Sequence, residues 1–297
     1  MYKKYSSLKL KNNNMNIVVG ASGRVGFALV NELNKRGMPV TAVIRNADKA
    51  GMFSSDIQVR IADIFDADTL VNAFKDGHTV FLVTPESMHS EDVIGDAEKV
   101  IENYRKATME TGVKRIVGLS SSGAHLGEGS GNLFISYKLE RAFVGLPVQT
   151  TFIRPAYYYS NWLGYLEVAR EHGILPTFFD PDQKIPMISP DDVAQFAAIV
   201  MRSEALSAPV YEITGPIAYS SVDVSQAFSE YLNRDVIAQQ IPYEHWIPTL
   251  TSVGFSEDAA CNMALMTETV VNATTFSENP ENLIMWNTEL SEYLAKL

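Results

Sequence analysis

The chain has 297 residues and a formal net charge of −11, with a pI near 5.0. Its 46% hydrophobic and 20% charged content is that of a globular protein with room for a full core, which excludes a disordered or low-complexity chain. An acidic chain without a long Lys/Arg run repels phosphate backbones, which argues against a nucleic-acid partner; one cysteine, Cys261, excludes an internal disulfide and suits a reducing, cytoplasmic compartment.

Residues 1–14, MYKKYSSLKLKNNN, carry four lysines and no acid. They lack the apolar stretch of a signal peptide and read as a disordered basic extension. No later run approaches 18 apolar residues, so no membrane span is expected. Asn16 to Val19 is a short apolar strand, followed by glycines and a helix whose Val25, Ala28, Leu29 and Leu33 share one face. Lys35, Arg36 and Gly37 stop that helix. Further β-branched runs at 40–44, 57–61 and 79–83 predict strands, with a short helix after Asp66. Val93, Ala97, Val100, Ile101 and Tyr104 mark a long amphipathic helix. A fifth strand is expected over 115–119, a helix around 137–143 and a sixth strand over 148–153. Such alternation gives right-handed crossovers and a parallel sheet covered on both faces.

After Arg154 the rhythm changes. Tyrosines cluster, and a helix then starts at a strong signal: Ser189 as N-cap, Pro190 at the first position, Asp191 and Asp192 at the positive end. VYEIT at 210–214 is a late strand, another helix follows from about Ser221, and the last fifty residues read as largely helical.

The segment Gly20-Ala-Ser-Gly23-Arg-Val-Gly26 joins the first strand to the first helix. A glycine pattern alone is weak evidence, but this strand–loop–helix setting is what a dinucleotide pyrophosphate requires. Gly20 permits the turn, Gly23 lets the pyrophosphate approach, and Gly26 lets the helix lie close to the sheet. The helix N-terminus then offers free N–H groups to the anion. Where NAD-specific folds place an acid at the end of the second strand, this chain has Arg45, followed by Asn46 and Lys49. An arginine pairs with a 2′-phosphate that an acid would repel, so NADP(H) is expected over NAD(H). Asp63, closing the third strand, is placed either to meet the adenine amino group or to cap the segment near Asp66. The expected architecture is α/β: a Rossmann doubly wound parallel sheet over 15–155, with helices on both faces. A smaller, mostly helical α/β substrate lobe over 156–297 interleaves with it through the strand at 210–214.

The glycine spacing, then AVIRN, ADIFDADTL, VFLVTP, GVKRIVGLSSSGAH, FIRPAYYYSNW, ISPDDVAQFAA and YEITGP, taken in order, resemble the NmrA-like group of atypical short-chain dehydrogenase/reductases. The resemblance covers about Met15 to Trp246. That group includes NAD(P)H-dependent quinone and dye reductases, and members that bind the dinucleotide as redox-sensing regulators. The resemblance implies that Ser22, Arg24 and Val25 of the glycine loop hold the pyrophosphate, that Arg45 takes the 2′-phosphate, and that Asp63 and Ile64 flank the adenine. It implies that Thr84 and Pro85 pass beneath the nicotinamide ribose. Ser120 and Ser121 stand where the larger family keeps its active-site serine, and Pro155, Ala156 and Tyr157 meet the nicotinamide end.

One departure bears on chemistry. The larger family's Tyr-x-x-x-Lys pair is here Tyr137 followed by Arg141, with Lys138 its immediate neighbour. Helix neighbours point about 100° apart, so Tyr137 and Lys138 do not face one nicotinamide as a matched pair. Lys138 remains the candidate for the ribose and Tyr137 for the pocket wall, both alternatively on a helix surface. Tyr157, Tyr158, Tyr159, Trp162 and Tyr165 follow the sixth strand at the edge where open α/β sheets bind ligands, and aromatic walls suit a flat conjugated acceptor. His125, in the loop after the fifth strand, is a further substrate candidate. The five histidines show no metal-ligand spacing, Cys261 beside Met263 and Met266 reads as helix core, and no G-x-S-x-G elbow is present. Three functions fit: an NADPH-dependent reductase of a quinone-like or aromatic acceptor, a non-catalytic dinucleotide sensor with a regulatory protein partner, and a sugar-nucleotide epimerase. A homo-oligomer is compatible with each.

Overall fold

The β-branched runs assemble into one sheet. The structure, a computed structural model, describes residues 14–203, 205–272 and 277–297; the expected basic extension, apart from Asn14, lies outside them. Strands β1 (Asn16–Val19), β2 (Val40–Ile44), β3 (Gln58–Ile61), β4 (Thr79–Leu82), β5 (Arg115–Leu119) and β6 (Gln149–Pro155) are joined by β10 (Val210–Thr214) and β13 (Ile284–Met285). The order is β13-β10-β6-β5-β4-β1-β2-β3, and every pairing is parallel. All residues of β1, β2 and β4 are buried, as a parallel sheet covered on both faces demands.

Helices supply the two covers. On one face α1 (Arg24–Lys35) packs beside α6 (Pro190–Arg202), so that Leu29, Val30 and Leu33 share a core with Phe196, Ala197 and Val200. On the other face lie α2 (Ala67–Phe74), α3 (Val93–Thr111) and α4 (Leu133–Arg141), which bring Leu70, Phe74, Val100, Tyr104 and Leu139 together. The start of α6 follows from its sequence. The Ser189 side chain accepts the Asp191 N–H at 3.2 Å and Pro190 holds the first helical position, where its missing N–H costs nothing. The chain runs outward from β1 through β2 to β3 and then crosses back to β4 on the other side of β1, which opens a crevice at the C-terminal ends of those strands.

A second layer stands over that end of the sheet. β7 (Tyr157–Tyr158), β9 (Ile185–Ile188) and β11 (Ala218–Tyr219) form a small mixed sheet, and β8 (Ile174–Thr177) pairs in parallel with β12 (Ile237–Gln240). Around them pack α5 (Leu166–His172), α7 (Ser221–Leu232), α8 (Trp246–Ser252), α9 (Glu257–Asn272) and α10 (Leu290–Leu294). The periodicity of the sequence shows none of these short strands, because two to four residues, with Pro176 and Pro186 inside two of them, carry no alternation. β13 likewise departs from the helical reading of the last fifty residues; it adds two residues to the sheet edge beside β10.

Arg154 ties β6 to α4, to β10 and to the segment before β13. It lies in β6 with only 4% of its side chain exposed. Nε and Nη2 donate to the two carboxylate oxygens of Glu140 on α4, each at 2.7 Å, and Nη1 donates to Glu278 at 2.6 Å. Glu212 of β10 lies 3.5 Å from the same guanidinium. Burial works against the Glu212 carboxylate, but the Ser277 hydroxyl, the N–H groups of Glu278 and Asn279, and the Arg154 charge outweigh it and hold its pKa below the ordinary value. Removing the cation leaves two buried carboxylates, Glu140 and Glu212, without a counter-charge. Arg154→Met should therefore lower the unfolding free energy by about 3–5 kcal/mol, measured by urea denaturation. A group whose pKa is depressed on folding stabilises above its unfolded value and loses that contribution below it. The Glu212 contribution should accordingly fade as the pH drops below 4.5, and a Glu212→Gln variant should show a correspondingly flatter acid limb.

Candidate active site

The loop between β1 and α1 is shaped by backbone contact. Gly20 has φ +68°, and a Cβ there would meet Val83 Cγ2 at 2.6 Å. A Cβ on Gly26 would lie 2.3 Å from the Gly20 carbonyl oxygen, so α1 reaches the loop only with glycine at that position. At Gly23 a Cβ would come within 3.3 Å of the same oxygen. Gly23 is the N-cap of α1 and offers no side-chain hydrogen bond, and no acid occupies the first turn. The leading N–H groups of Arg24, Val25 and Gly26 are thus left open at the positive end of a 12-residue helix, the arrangement that binds a phosphate. Ser22 stands beside them, and the Arg24 side chain lies near the Tyr293 phenol.

The neighbouring strand ends continue this cradle. Arg45 follows β2, is exposed, and has no ion-pair or hydrogen-bond partner for its guanidinium among the described residues. Asn46 caps the next turn by accepting the Asp48 N–H at 2.9 Å, and Lys49 in that turn is exposed. After β3 the Asp63 carboxylate accepts the Phe65 N–H at 3.0 Å, while Asp66, not Asp63, caps α2. Asn103 donates to the Ile64 carbonyl at 2.9 Å and fixes that turn from α3. The Tyr104 hydroxyl donates to Val83 O at 2.8 Å and so fixes the chain leading to Thr84 and Pro85.

A cavity of about 580 Å³ opens beyond Thr84. Its floor is the C-terminal ends of β4, β5 and β6: Thr84, Ser120, Ser121, Pro155 and Ala156. Its walls are Tyr157, Tyr158, Trp162 and Tyr165 from one side, and Phe178 and Phe179 from another. Tyr157 and Phe179 meet edge to face at 5.7 Å. The roof comes from Leu250, Val253, Phe255 and one side of α9, where Met263, Met266, Thr267 and Val270 recur at helical spacing. Tyr159, by contrast, is fully buried outside this wall and donates to Thr288 O at 3.1 Å.

One lining residue carries no sequence signal. Glu86, two residues past Thr84, is the one charged side chain in the lining among the described residues. Asn132 Nδ2 donates to its Oε2 at 2.9 Å. Glu86 is exposed by surface area and at the same time lines the cavity. Protein crowds the carboxyl closely enough that burial pushes its pKa up to about 7, the Asn132 hydrogen bond opposing only part of the rise.

The helix singled out by the tyrosine–lysine spacing is rotated. Leu133 and Ser136 of α4 face the cavity, and Glu140 on the same side accepts the Ser120 hydroxyl at 2.6 Å. Tyr137 and Lys138 are not in the lining. The Tyr137 ring stacks on Phe134, with the Arg141 guanidinium 3.5 Å over it. Lys138 Nζ is held by Glu98 at 2.6 Å and lies over Phe134. His125 is also outside the lining, with its Nδ1 buried and unpartnered. Ser121 donates to the Ser122 carbonyl at 3.1 Å. Among the described residues no group of three His, Cys, Asp or Glu side chains could hold a metal ion, and no helix is long and apolar enough to cross a membrane.

A parallel eight-stranded sheet with a glycine cradle at its switch point defines a Rossmann-type α/β protein. Within that class the chain belongs to the NmrA-like family, whose model matches residues 13–294. It is 26% identical over 255 residues to an NAD(P)H azoreductase of Xenophilus azovorans, covering 83% of this chain and 84% of that protein. It is 25% identical over 253 residues to quinone oxidoreductase 2 of Escherichia coli K12, covering 83% and 85%. The structure of an E. coli NADPH-dependent quinone oxidoreductase complexed with NADPH has the same fold, with a TM-score of 0.74, 23% identity and coverage of 95% and 99%.

The glycine loop yields a direct test. Gly23 has extended backbone geometry, φ −84° and ψ 169°, so a side chain is compatible with the fold but fills the approach to the helix N-terminus. Gly23→Val should keep its far-UV circular dichroism and lose dinucleotide binding in calorimetry; undiminished affinity would reduce the loop to a turn. Tyr137→Phe should lose less than about tenfold in single-turnover acceptor reduction, about 1.4 kcal/mol of barrier, because its ring is outside the cavity.

Proposed function

We propose that this protein is an NADPH-dependent reductase of a flat conjugated acceptor such as a quinone or azo compound. The observation that carries the reading is the position of the cavity: one aromatic-walled chamber whose floor is the ends of β4, β5 and β6, adjoining the glycine cradle. The cradle fits a dinucleotide, since a Cβ at Gly23 or Gly26 would fill the space in which loop and helix approach each other.

A bound nicotinamide supplies the hydride. The chain's own residues bind, orient and keep water out. The first turn of α1 receives the pyrophosphate, and Arg45, with Lys49 near it, receives a 2′-phosphate. Asp63 and Ile64 flank the adenine, and Thr84, Pro85, Ser120, Ser121, Pro155 and Tyr157 frame the nicotinamide end. Tyr157, Tyr158 and Trp162 stack against the acceptor. Hydride transfer to an already electrophilic acceptor gains most from positioning, which such a rigid wall supplies. Among the described residues the cavity lining holds no cation to bind a sugar diphosphate, which weighs against an epimerase.

NADPH should bind at least about tenfold more tightly than NADH, and Arg45→Asp should reverse the preference; equal dissociation constants by calorimetry for the wild-type complexes would contradict this. A spectrophotometric screen of NADPH oxidation over quinones and azo compounds should find turnover. Tight NADPH binding with no turnover on any of them would favour the dinucleotide sensor instead.

A further inference from the structure

We propose that Glu86 is the proton donor to the acceptor, the group that completes a reduction begun by hydride; this rests on the reductase reading above. Hydride addition to a quinone or azo acceptor delivers two electrons and one hydrogen and leaves an anion. The cavity is a poor place for that anion. Among the described residues its lining contains no Lys, Arg or His, and most of its walls are apolar or aromatic. That lining supplies no cationic side chain to an anion formed there, so taking a proton as it forms is the direct way to neutralise it.

The lining offers few sources. Its other titratable groups are Tyr157, Tyr158 and Tyr165, and burial pushes all three phenols above their ordinary value. Ser120, Ser121, Ser122 and Ser136 are weaker acids still. Glu86 alone combines a place in the wall with an acidity suited to giving up a proton near neutral pH. Its Oε2 is anchored by Asn132, while its other oxygen accepts no hydrogen bond among the described residues. Beside it the Tyr158 hydroxyl is buried and unpartnered. Of the titratable groups around this loop, Glu91 is exposed and four others are engaged elsewhere. His89 Nδ1 is 3.2 Å from Gly254 O, Asp96 accepts the Ser90 hydroxyl, Asp92 accepts the Gly95 N–H, and Asp258 of α9 accepts the Val93 N–H.

The step balances. The Glu86 O–H bond breaks and an O–H or N–H bond forms on the acceptor, which has gained a hydride from the reduced nicotinamide. The acceptor leaves as the neutral reduced product, the nicotinamide is oxidised, and the Glu86 carboxylate recovers its proton from solvent. Because the donor must start protonated, reduction should fall as the pH rises through about 7.

The test uses the full chain loaded with NADPH and two acceptors. Menadione needs a proton as well as a hydride; N-methylacridinium is a cation that hydride alone neutralises. In single turnover, Glu86→Gln should slow menadione reduction by about a hundredfold or more and acridinium reduction by less than threefold. The decline of menadione reduction above neutral pH should vanish in Glu86→Gln. In Asn132→Leu it should move to higher pH, because the lost hydrogen bond favoured the carboxylate. Independently of activity, the carboxyl carbon of Glu86, followed by ¹³C NMR in the cofactor-free protein, should titrate near 7 and be absent in Glu86→Gln.

Menadione rates within threefold of wild type in Glu86→Gln would overturn the proposal. So would equal losses on both acceptors, which mean a structural role, or a larger loss on acridinium, which means a counterion. A Glu86 carboxyl titrating in the ordinary range would overturn it and leave the reductase reading standing. If the wild type reduces neither acceptor, the reductase reading fails and the proton-donor assignment falls with it, whatever the carboxyl titration shows.

Discussion

The approach of α1 to the glycine loop is the contact on which the remaining geometry depends. Gly26 sits where a single added carbon would lie 2.3 Å from the Gly20 carbonyl. That closeness brings the positive end of the helix to the C-terminal edge of β1, next to the switch point between β1 and β4. It also sets the height of α1 over the sheet, and therefore the position of α6 packed against it through Leu29, Val30, Phe196 and Ala197. Because α6 begins directly after β9, the same packing fixes the small sheet that carries Tyr157 and Tyr158. One steric allowance at the loop thus propagates to the wall of the cavity.

The cavity is built by two layers that neither could form alone. The large sheet supplies strand ends with small residues, Thr84, Ser120, Ser121 and Ala156, over which a flat group fits. The upper layer supplies bulk: Trp162, Phe178, Phe179 and the methionine side of α9. Arg154 braces the large sheet beneath the cavity by engaging Glu140 from α4 and Glu278 from the segment that leads to β13. A buried guanidinium with several carboxylates around it is costly unless each group is satisfied. Here the Ser120 and Ser277 hydroxyls and two backbone N–H groups complete the set.

Sequence patterns made the large sheet readable because its signals are local. Runs such as NIVV and VTAVI are buried throughout and look alike in any context, and Ser189-Pro190 marks a helix start through contacts within three residues. The six successive strands and the late strand at 210–214 follow from that. The upper layer was opaque for the opposite reason. β7, β9 and β11 exist only because they pair with each other, and two-residue strands carry no period. The facing of α4 was half readable: the separation of Tyr137 and Lys138 around the helix is a matter of geometry, but that Ser136 and Leu133 face the cavity depends on packing against α3 and β5. Met263 and Met266, which resemble core residues at helical spacing, are cavity wall, since the same stripe serves either purpose. Glu86 had no motif at all. Its raised pKa arises from the crowding of residues gathered from distant parts of the chain, opposed in part by the hydrogen bond from Asn132, 46 residues away.

The central claim is that one cavity holds an acceptor against one face of a nicotinamide fixed at the strand ends. Stereospecifically deuterated NADPH tests it most directly. In single-turnover reactions with a quinone, cofactor labelled at one C4 position should transfer its deuterium, leave unlabelled NADP⁺ and show a primary isotope effect. Cofactor labelled at the other position should retain the label and show none. Loss of deuterium from both positions in equal measure, or oxidation without an isotope effect from either, would contradict direct transfer within this cavity.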